Sequence, residues 1–481
     1  MMEKLIFDYS SKGKSGVSLP PKSAEEKAIE EYIPKSLLRK SELNLPEVSE
    51  PEVVRHFTNL SSMNHHLDKG FYPLGSCTMK YNPKINDKVA GLPGFADIHP
   101  FQPESTTQGA LELMYDLEKM LCAITGMHSA TLQPAAGSHG ELTGVMIMKK
   151  YFESKGEQRK YILIPDSAHG TNPSSACSAN FQTLPLKSNE RGCLDIDDLR
   201  AKMNAEVAGL MITNPNTLGL FEEEVEQIVE IVHQYDGLVY MDGANLNALL
   251  GITRPGDMGF DITHINLHKT FATPHGGGGP GSGPIAVVEK LSKFLPVPRV
   301  VKDGTDFKLS DNFPESIGKV LGLYGNFGVM VRAYVYISLL GVEGIKSVSR
   351  NAILNANYLR VKLADRFLVP YNRVCMHEFV ASGDNHRQLG IKTLDIAKRL
   401  LDFGIHAPTI YFPLIVKEAI MVEPTETESK QALDKFVEAM LTIDKEAHEN
   451  PERLHEAPLT TPVRRLNELK ANKDLNICWG K

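Results

Sequence analysis

The stretch Thr263-His-Ile-Asn-Leu-His-Lys-Thr-Phe-Ala-Thr-Pro-His275, followed by Gly276-Gly-Gly-Gly-Pro-Gly-Ser-Gly-Pro284, decides how the rest of the chain is read. Thr263 to Leu267 alternate polar and apolar side chains, the period of a short strand. The pattern stops at His268-Lys269-Thr270, and the run behind it holds too much Gly and Pro for helix or sheet. A strand is therefore expected to deliver Lys269 to a strand-to-loop junction. A lysine held there can be desolvated until its amine is neutral and nucleophilic. The plainer alternative is a surface lysine on a flexible glycine loop.

Upstream lies Leu238-Val-Tyr-Met-Asp-Gly-Ala-Asn245. Leu238 to Met241 form an apolar run behind a helical pattern in which Val225, Ile228, Val229 and Val232 share one face, stopped by Gly237. Helix, stop and buried strand make an α/β unit, and Asp242 emerges at the strand's end. A lysine and an aspartate so placed match the two anchors of pyridoxal phosphate. The lysine forms the Schiff base, and the aspartate pairs with the protonated pyridine nitrogen. A buried Asp without a cationic partner is costly, so a ring N–H is a physical reason for it. A solvated Asp in a Gly turn is the alternative.

The chain has 481 residues, too many for one ordinary core, so two or three domains are expected. A net charge of −7 and a pI near 6.2 argue against a nucleic-acid surface. No membrane span is expected: the most apolar window, Val329 to Val348, is interrupted by Arg332, Glu343 and Lys346. The opening residues lack the apolar core and cleavage site of a signal peptide. Six cysteines (77, 122, 177, 193, 375 and 478) show no Cys-x-x-Cys spacing, so no metal site is expected and reduced thiols in the cytoplasm are the default.

Two more strand ends carry candidate ligands, and so does a strand-to-helix turn. Ala130-Thr-Leu-Gln-Pro-Ala-Ala-Gly-Ser-His-Gly-Glu141 starts as a strand and turns at Ala136-Gly137-Ser138 into a helix running to about Phe152. Small residues at a helix N-terminus leave amides open to an anion, which suits a phosphate. The alternative is an ordinary cap, with Ser138 and Glu141 closing a capping box. Tyr161 to Pro165 is a buried strand followed by Asp166-Ser-Ala-His-Gly-Thr-Asn172, so His169 lies where open α/β sheets hold ligands and could stack on a flat ring. Ala208 to Thr213 ends at Asn214, which could donate to a phenolic oxygen or simply form the turn before Pro215.

The ends and the C-terminal third differ in character. Residues 1–62, rich in Lys, Glu, Ser and Pro, read as an arm with one amphipathic helical patch from Ala24 to Leu38. A large domain spans 63–325. It opens with an irregular stretch, Met63 to Lys80, whose His65, His66, Ser76, Cys77 and Lys80 are candidate substrate-binding residues. Residues 326–450 read as a smaller α+β domain. It has helices over Val329–Leu340 and Val348–Ala364, strands near Val374–Ala381 and Ala419–Val422, and a last helix capped by Thr425-Glu-Thr-Glu428. Residues 451–481, with Pro451, Pro458, Pro462 and Trp479, read as a wrapping tail.

Taken together and in order, these motifs resemble the P-protein family of the glycine cleavage system, glycine dehydrogenase (decarboxylating). They are Tyr72-Pro-Leu-Gly-Ser-Cys-Thr-Met-Lys80, Ala136-Gly-Ser-His-Gly-Glu141, Ser167-Ala-His-Gly-Thr-Asn-Pro173, Asp242-Gly-Ala-Asn245 and His268-Lys-Thr270 with its glycine loop. The resemblance covers nearly the whole chain, and the length is similar to the lysine-bearing second subunit of the family's split form. It implies an α/β fold of the aspartate-aminotransferase type (fold type I), with pyridoxal phosphate on Lys269, Asp242 on the pyridine nitrogen and His169 stacked on the ring. Ala244 would cover the other face, and Ser138 with nearby amides and His268 would hold the phosphate. It further implies decarboxylation of glycine and attack of the resulting carbanion on the lipoyl arm of the H-protein, with Lys269 or a nearby His moving protons. A related first subunit in an α2β2 assembly is implied as partner. Two other classes remain open: a serine hydroxymethyltransferase- or aldolase-like lyase, which would share Lys269 and Asp242, and a non-catalytic scaffold subunit.

Overall fold

The computed structural model describes residues 3–21, 27–276 and 281–476. They fall into two compact units, one of residues 70–457 and one joining residues before 70 to those from 458 on.

The larger unit is built on a seven-stranded sheet in the order β1-β7-β6-β5-β4-β2-β3. Its strands are β1 (Ser129–Thr131), β2 (Tyr161–Pro165), β3 (Gln182–Leu186), β4 (Val207–Thr213), β5 (Leu238–Gly243), β6 (Ile262–Ile265) and β7 (Ile285–Val287). Neighbours from β3 to β6 pair in parallel, and β7 runs antiparallel between β6 and β1. Every residue of β4 and β5 is buried, as a sheet covered on both faces requires. Along β5, Leu238 and Tyr240 pack into one cluster with Val145 and Met148 of the helix Gly137–Ser154. Val239 and Met241 point the other way, into a cluster with Ile228 and Val232.

The helix Phe327–Leu363 leads away from this sheet and breaks at Gly341, whose φ is +58°. Before the break, Val329, Met330 and Ile337 join the sheet's core; near its end Ala356, Leu359 and Leu363 join a second core. That core backs a three-stranded antiparallel sheet, Phe379–Ser382, Ala419–Val422 and Thr409–Ile410, with the helices Thr393–Asp402 and Lys430–Glu449. On length and apolarity the long helix could cross a membrane, but the break and its two buried ends mark it as a connector of cores.

Several local expectations change. The strand expected over 263–267 ends at Ile265, and Lys269 sits in a helical turn, Leu267–Thr270. The turn forms because the Thr270 and Phe271 amides donate back to Asn266 and Leu267 at 3.1 and 3.2 Å. The helix that Gly237 was expected to stop ends at His233, and the left-handed residue behind it is Asp236, at φ +56°. The last helix is capped at Ser429, whose hydroxyl accepts from the Ala432 amide, and not at Thr425, whose φ of +63° takes it out of the helix. The strand expected from Val374 starts only at Phe379. In the smaller unit the helical patch is reduced to two short 3-10 turns, Ile29–Glu31 and Lys35–Leu37, with Leu37 74 % exposed. Residues 24–26 of that patch, part of the glycine loop and Trp479 lie outside the described residues.

Candidate active site

The parallel register sets the floor of a cavity of about 490 Å³. Thr213 pairs with Asp242, and Asp242 with His264, so three polar side chains stand abreast at the carboxyl ends of β4, β5 and β6. This is where open α/β sheets bind ligands. Asp242 is 3 % exposed. Its Oδ1 accepts from the Ala244 amide at 3.0 Å, and its Oδ2 from Asn172 Nδ2 at 3.1 Å. The Tyr240 hydroxyl lies 2.8 Å from His264 Nδ1, so donation there leaves the Nε2 proton facing Asp242 Oδ1 at 3.3 Å. Burial pushes the Asp242 carboxyl up, but the His264 ring, these donors and the Lys269 charge outweigh it and hold the group below its ordinary value. Lys269 enters from the turn after β6 and makes no ion pair among the described residues.

One end of the cavity is the N-terminus of the helix Gly137–Ser154. No side chain among the described residues caps it, so its first amides stay open; Gly137 and Ser138 line the cavity. A Cβ on Gly137 would lie 2.6 Å from Asn266 Oδ1, and one on Gly283 would run into the Ala136 carbonyl. Glycine is thus what lets the lysine turn and the loop behind it close on the helix end. His268 accepts from the Ser282 amide at Nδ1, 3.2 Å away, which places its proton on Nε2. Burial, with His275 and Lys269 nearby, pushes His268 down to about 3, so the ring is neutral. Glu141 does not close a capping box. It accepts from the Thr171 and Ser175 hydroxyls at 2.8 and 3.1 Å and ties this helix to Thr171–Ser178.

The sides come from elsewhere. His169 is an exposed ring on the cavity wall, set by a 2.8 Å contact between Nδ1 and the Thr171 hydroxyl and edge-on to Phe412. Ala244 lines the cavity, as do Ser76 and Cys77. Asn214 does not: its Oδ1 accepts from the Glu222 amide. Lys80 is also turned away, bonded to Glu426, Asn247 and Tyr336. Ala136 caps the helix behind the lining. His65 and His66 belong to the smaller unit. The sequence reading missed Thr409 and Phe412, which carry no local signal, and His264, a polar residue in a wholly buried strand. Thr213 Oγ1, Asn245 Oδ1 and Asn266 Oδ1 line the cavity, are buried and have no hydrogen-bond partner among the described residues. Such orphans suit a polar ligand. An acid at the floor, an amine beside it and open amides at one end fit pyridoxal phosphate.

Residues 22–313 match the glycine cleavage system P-protein family, and residues 348–459 match the C-terminal domain of glycine dehydrogenase. The chain belongs to the P-protein family. It is 60 % identical to the probable glycine dehydrogenase (decarboxylating) subunit 2 of Chlorobium chlorochromatii, over 99 % of this chain and 100 % of that one. The like-named protein of Caldanaerobacter subterraneus is 59 % identical, with 99 % of each chain covered. Among solved structures, an inhibitor-bound glycine decarboxylase (P-protein) of the glycine cleavage system matches with a TM-score of 0.73 at 19 % identity, over 86 % of this chain and 94 % of that one. A NifS-like protein from Rickettsia africae matches at 0.59 and 16 % identity, over 78 % and 99 %. The fold is thus the fold type I α/β architecture, and the P-protein chain described here is a glycine-decarboxylating, pyridoxal-phosphate enzyme.

Proposed function

We propose that this chain is the lysine-bearing subunit of a two-subunit glycine decarboxylase that passes an aminomethyl group to the lipoyl arm of the H-protein. The observation that carries the reading is the convergence of Lys269 and Asp242 on one cavity, in a chain of this family. Lys269 holds the cofactor covalently, and Asp242, kept ionised by its donors, accepts from the pyridine N–H. His169 and Ala244, both on the cavity lining, would hold the ring. Ser138, the open amides beside it and the Nε2 proton of His268 hold the phosphate, whose charge the helix end favours. When bound, pyridoxal phosphate supplies an electron sink for the pair left as CO2 departs. Glycine enters beside Lys269, whose freed amine is the group placed to move protons at the substrate nitrogen.

The partner is a related, lysine-less first subunit in an α2β2 assembly, and the place of work is the cytoplasm, in keeping with the free thiols of Cys77, Cys122, Cys177, Cys193 and Cys375. Borohydride treatment of the loaded chain should trap the cofactor on Lys269 alone; trapping on another lysine in K269A overturns the assignment. The isolated chain should bind cofactor yet exchange CO2 with glycine poorly until the partner and a lipoylated carrier are added. Full carrier-dependent activity from a homo-oligomer would show the two-subunit reading to be wrong.

A further inference from the structure

Behind the cavity wall lies a cluster that the reaction as described does not use. Ser76 and Thr78 flank Cys77 and both take left-handed backbone, with φ of +57° and +48°. Such residues are strained and need holding. Each is gripped twice by one carboxyl group. Glu378 accepts the Ser76 amide at 2.6 Å and its hydroxyl at 3.0 Å, from 302 residues away. Glu423 accepts the Thr78 amide at 2.7 Å and its hydroxyl at 2.6 Å, from 345 residues away. The sheet register explains the pairing. Phe379 faces Val422, so Glu378 and Glu423 are the next residues out on antiparallel neighbours.

Both glutamates are 0 % exposed, and so is His377. The His377 Nε2 lies 3.7 Å from one carboxylate and 4.0 Å from the other, and neither ring nitrogen has a hydrogen-bond partner among the described residues. No Lys or Arg pairs with either acid among the described residues, and nearby Lys80 is taken by Glu426. An oxygen of each carboxyl group and a ring nitrogen of His377 lie within 4.8 Å of one another, and two carboxylates that close in a buried site without a cation do not both ionise.

We propose that Glu378 and Glu423 form a carboxylic acid–carboxylate pair, Glu378 keeping its proton and Glu423 ionised, that positions the Ser76–Thr78 wall and sets a single negative charge on the Lys269 side of the cavity. The inference rests on the reading of Lys269 as the cofactor lysine. Burial, then the charge of Glu423, pushes Glu378 well up, while Glu423 rises to about 7 through burial opposed by the Thr78 donors. Burial and Lys269 push His377 down to about 3, so the ring is neutral and cannot be the balancing cation. The other groups facing the pair are Lys269, Glu426 and Cys77, the last pushed up to about 11 by burial, with His275 against the Cys77 backbone. Loss of the Glu378 proton at high pH sets two charges face to face and loosens both grips. Both acids are positioning residues, acting through Ser76, Thr78 and Lys269.

The test uses the full chain. In the cofactor-free protein at neutral pH, the infrared difference between wild type and E378Q should show one protonated carboxyl lost. In the pyridoxal-phosphate-loaded chain, E423Q should lower the pH midpoint of the cofactor absorbance by about one unit, a tenfold weaker hold on the proton. E378Q, which imitates the neutral member, should leave that midpoint within a few tenths. If E423Q does not fold, the infrared band decides alone. Absence of a protonated carboxyl, equal midpoint shifts in the two variants, or one equivalent of tightly bound metal by elemental analysis would each overturn the pair. Failure to trap cofactor on Lys269 would instead remove the reading beneath it and leave the infrared result standing.

Discussion

The floor and the wall of the cavity are built on opposite principles. The floor takes Thr213, Asp242 and His264 from successive parallel strands, where register alone sets side chains abreast, and Lys269 from the turn just after the last of them. The wall takes Ser76 and Cys77, Thr409 and Phe412 from segments hundreds of residues apart, held by single side-chain grips such as Thr78 on Glu423. A floor of this kind tolerates little change in the chemistry of its residues but is robust in position. The wall depends on each grip separately. Changes at the floor should therefore abolish turnover in a folded protein, and changes at the wall should shift midpoints and affinities.

Asp242→Asn is the largest break. The amide cannot hold a pyridine nitrogen protonated, so decarboxylation should fall by orders of magnitude, each tenfold worth about 1.4 kcal/mol of barrier. The circular dichroism spectrum should be unchanged. Near-normal turnover would remove Asp242 from the role and with it the contrast between floor and wall.

Proton uptake gives the next largest effect, and it draws on both regions. His268, His275 and His377 are pushed down to about 3, 4 and 3, each first by burial. Folded they stay neutral, whereas unfolded they protonate below their ordinary 6.5. Five glutamates move the other way, all first by burial, from an ordinary 4.5: Glu378 is pushed well up, Glu118 rises to about 8, Glu222 and Glu423 to about 7 and Glu428 to about 6. Between pH 4.5 and 6 the unfolded chain binds more protons on the three histidines but fewer on the five glutamates, so the glutamates win and stability should rise as pH falls. Below about 4.5 the glutamates are protonated in both states and only the histidines count. Stability of the cofactor-free chain should then turn over and fall, by about 4 kcal/mol per pH unit down to about pH 4 and less steeply below it, where the folded His275 protonates too. Above 6.5 the histidines drop out and stability should fall more steeply as pH rises through about 7. Urea midpoints across this range check it; a steady decline from pH 6.5 downward would mean the glutamates ionise normally.

The same contrast decides what could be read in the sequence. β4, β5 and Asp242 were legible because a strand buried on both faces writes its apolar run and its polar end into adjacent residues. The helix end at Gly137 was legible for the same reason, down to its small residues. Lys269 was found, but on a strand end, because nothing in His268-Lys269-Thr270 announces the turn that the Asn266 and Leu267 carbonyls close. Glu378, Glu423 and Phe412 were invisible: a buried acid beside a strand looks like any surface glutamate until the sheet register sets its partner opposite. Asn214 stands at its strand end as expected, but its Oδ1 is turned to the Glu222 amide and the residue does not line the cavity, which no local pattern announces.

Gly283→Ala sharpens the comparison at the seam between the helix end and the lysine turn. The new methyl would meet the backbone carbonyl of Ala136, and backbone cannot swing aside as a side chain can. The helix end must retreat from the loop, and the phosphate site opens. Cofactor affinity should drop tenfold or more while the Lys269 trap survives at high cofactor concentration. Unchanged affinity in equilibrium dialysis would mean the phosphate is held elsewhere.

His169→Ala is the smallest expected change. The ring stands exposed on the wall, fixed by the Thr171 hydroxyl at 2.8 Å and met edge-on by Phe412 at 5.7 Å between centroids. Among the described residues it has no charge partner, and it forms no part of the floor. If its role is to lie on the cofactor, its removal costs one ring-on-ring contact, on the order of 1 kcal/mol, a several-fold rise in the cofactor dissociation constant. His169→Phe keeps a flat ring without the Thr171 bond, so it should recover most of the affinity and leave the absorbance maximum near its wild-type place. A thousand-fold loss of turnover in H169A with normal cofactor binding would instead make His169 a proton-transfer group, and the wall would then hold chemistry that this comparison gives to the floor.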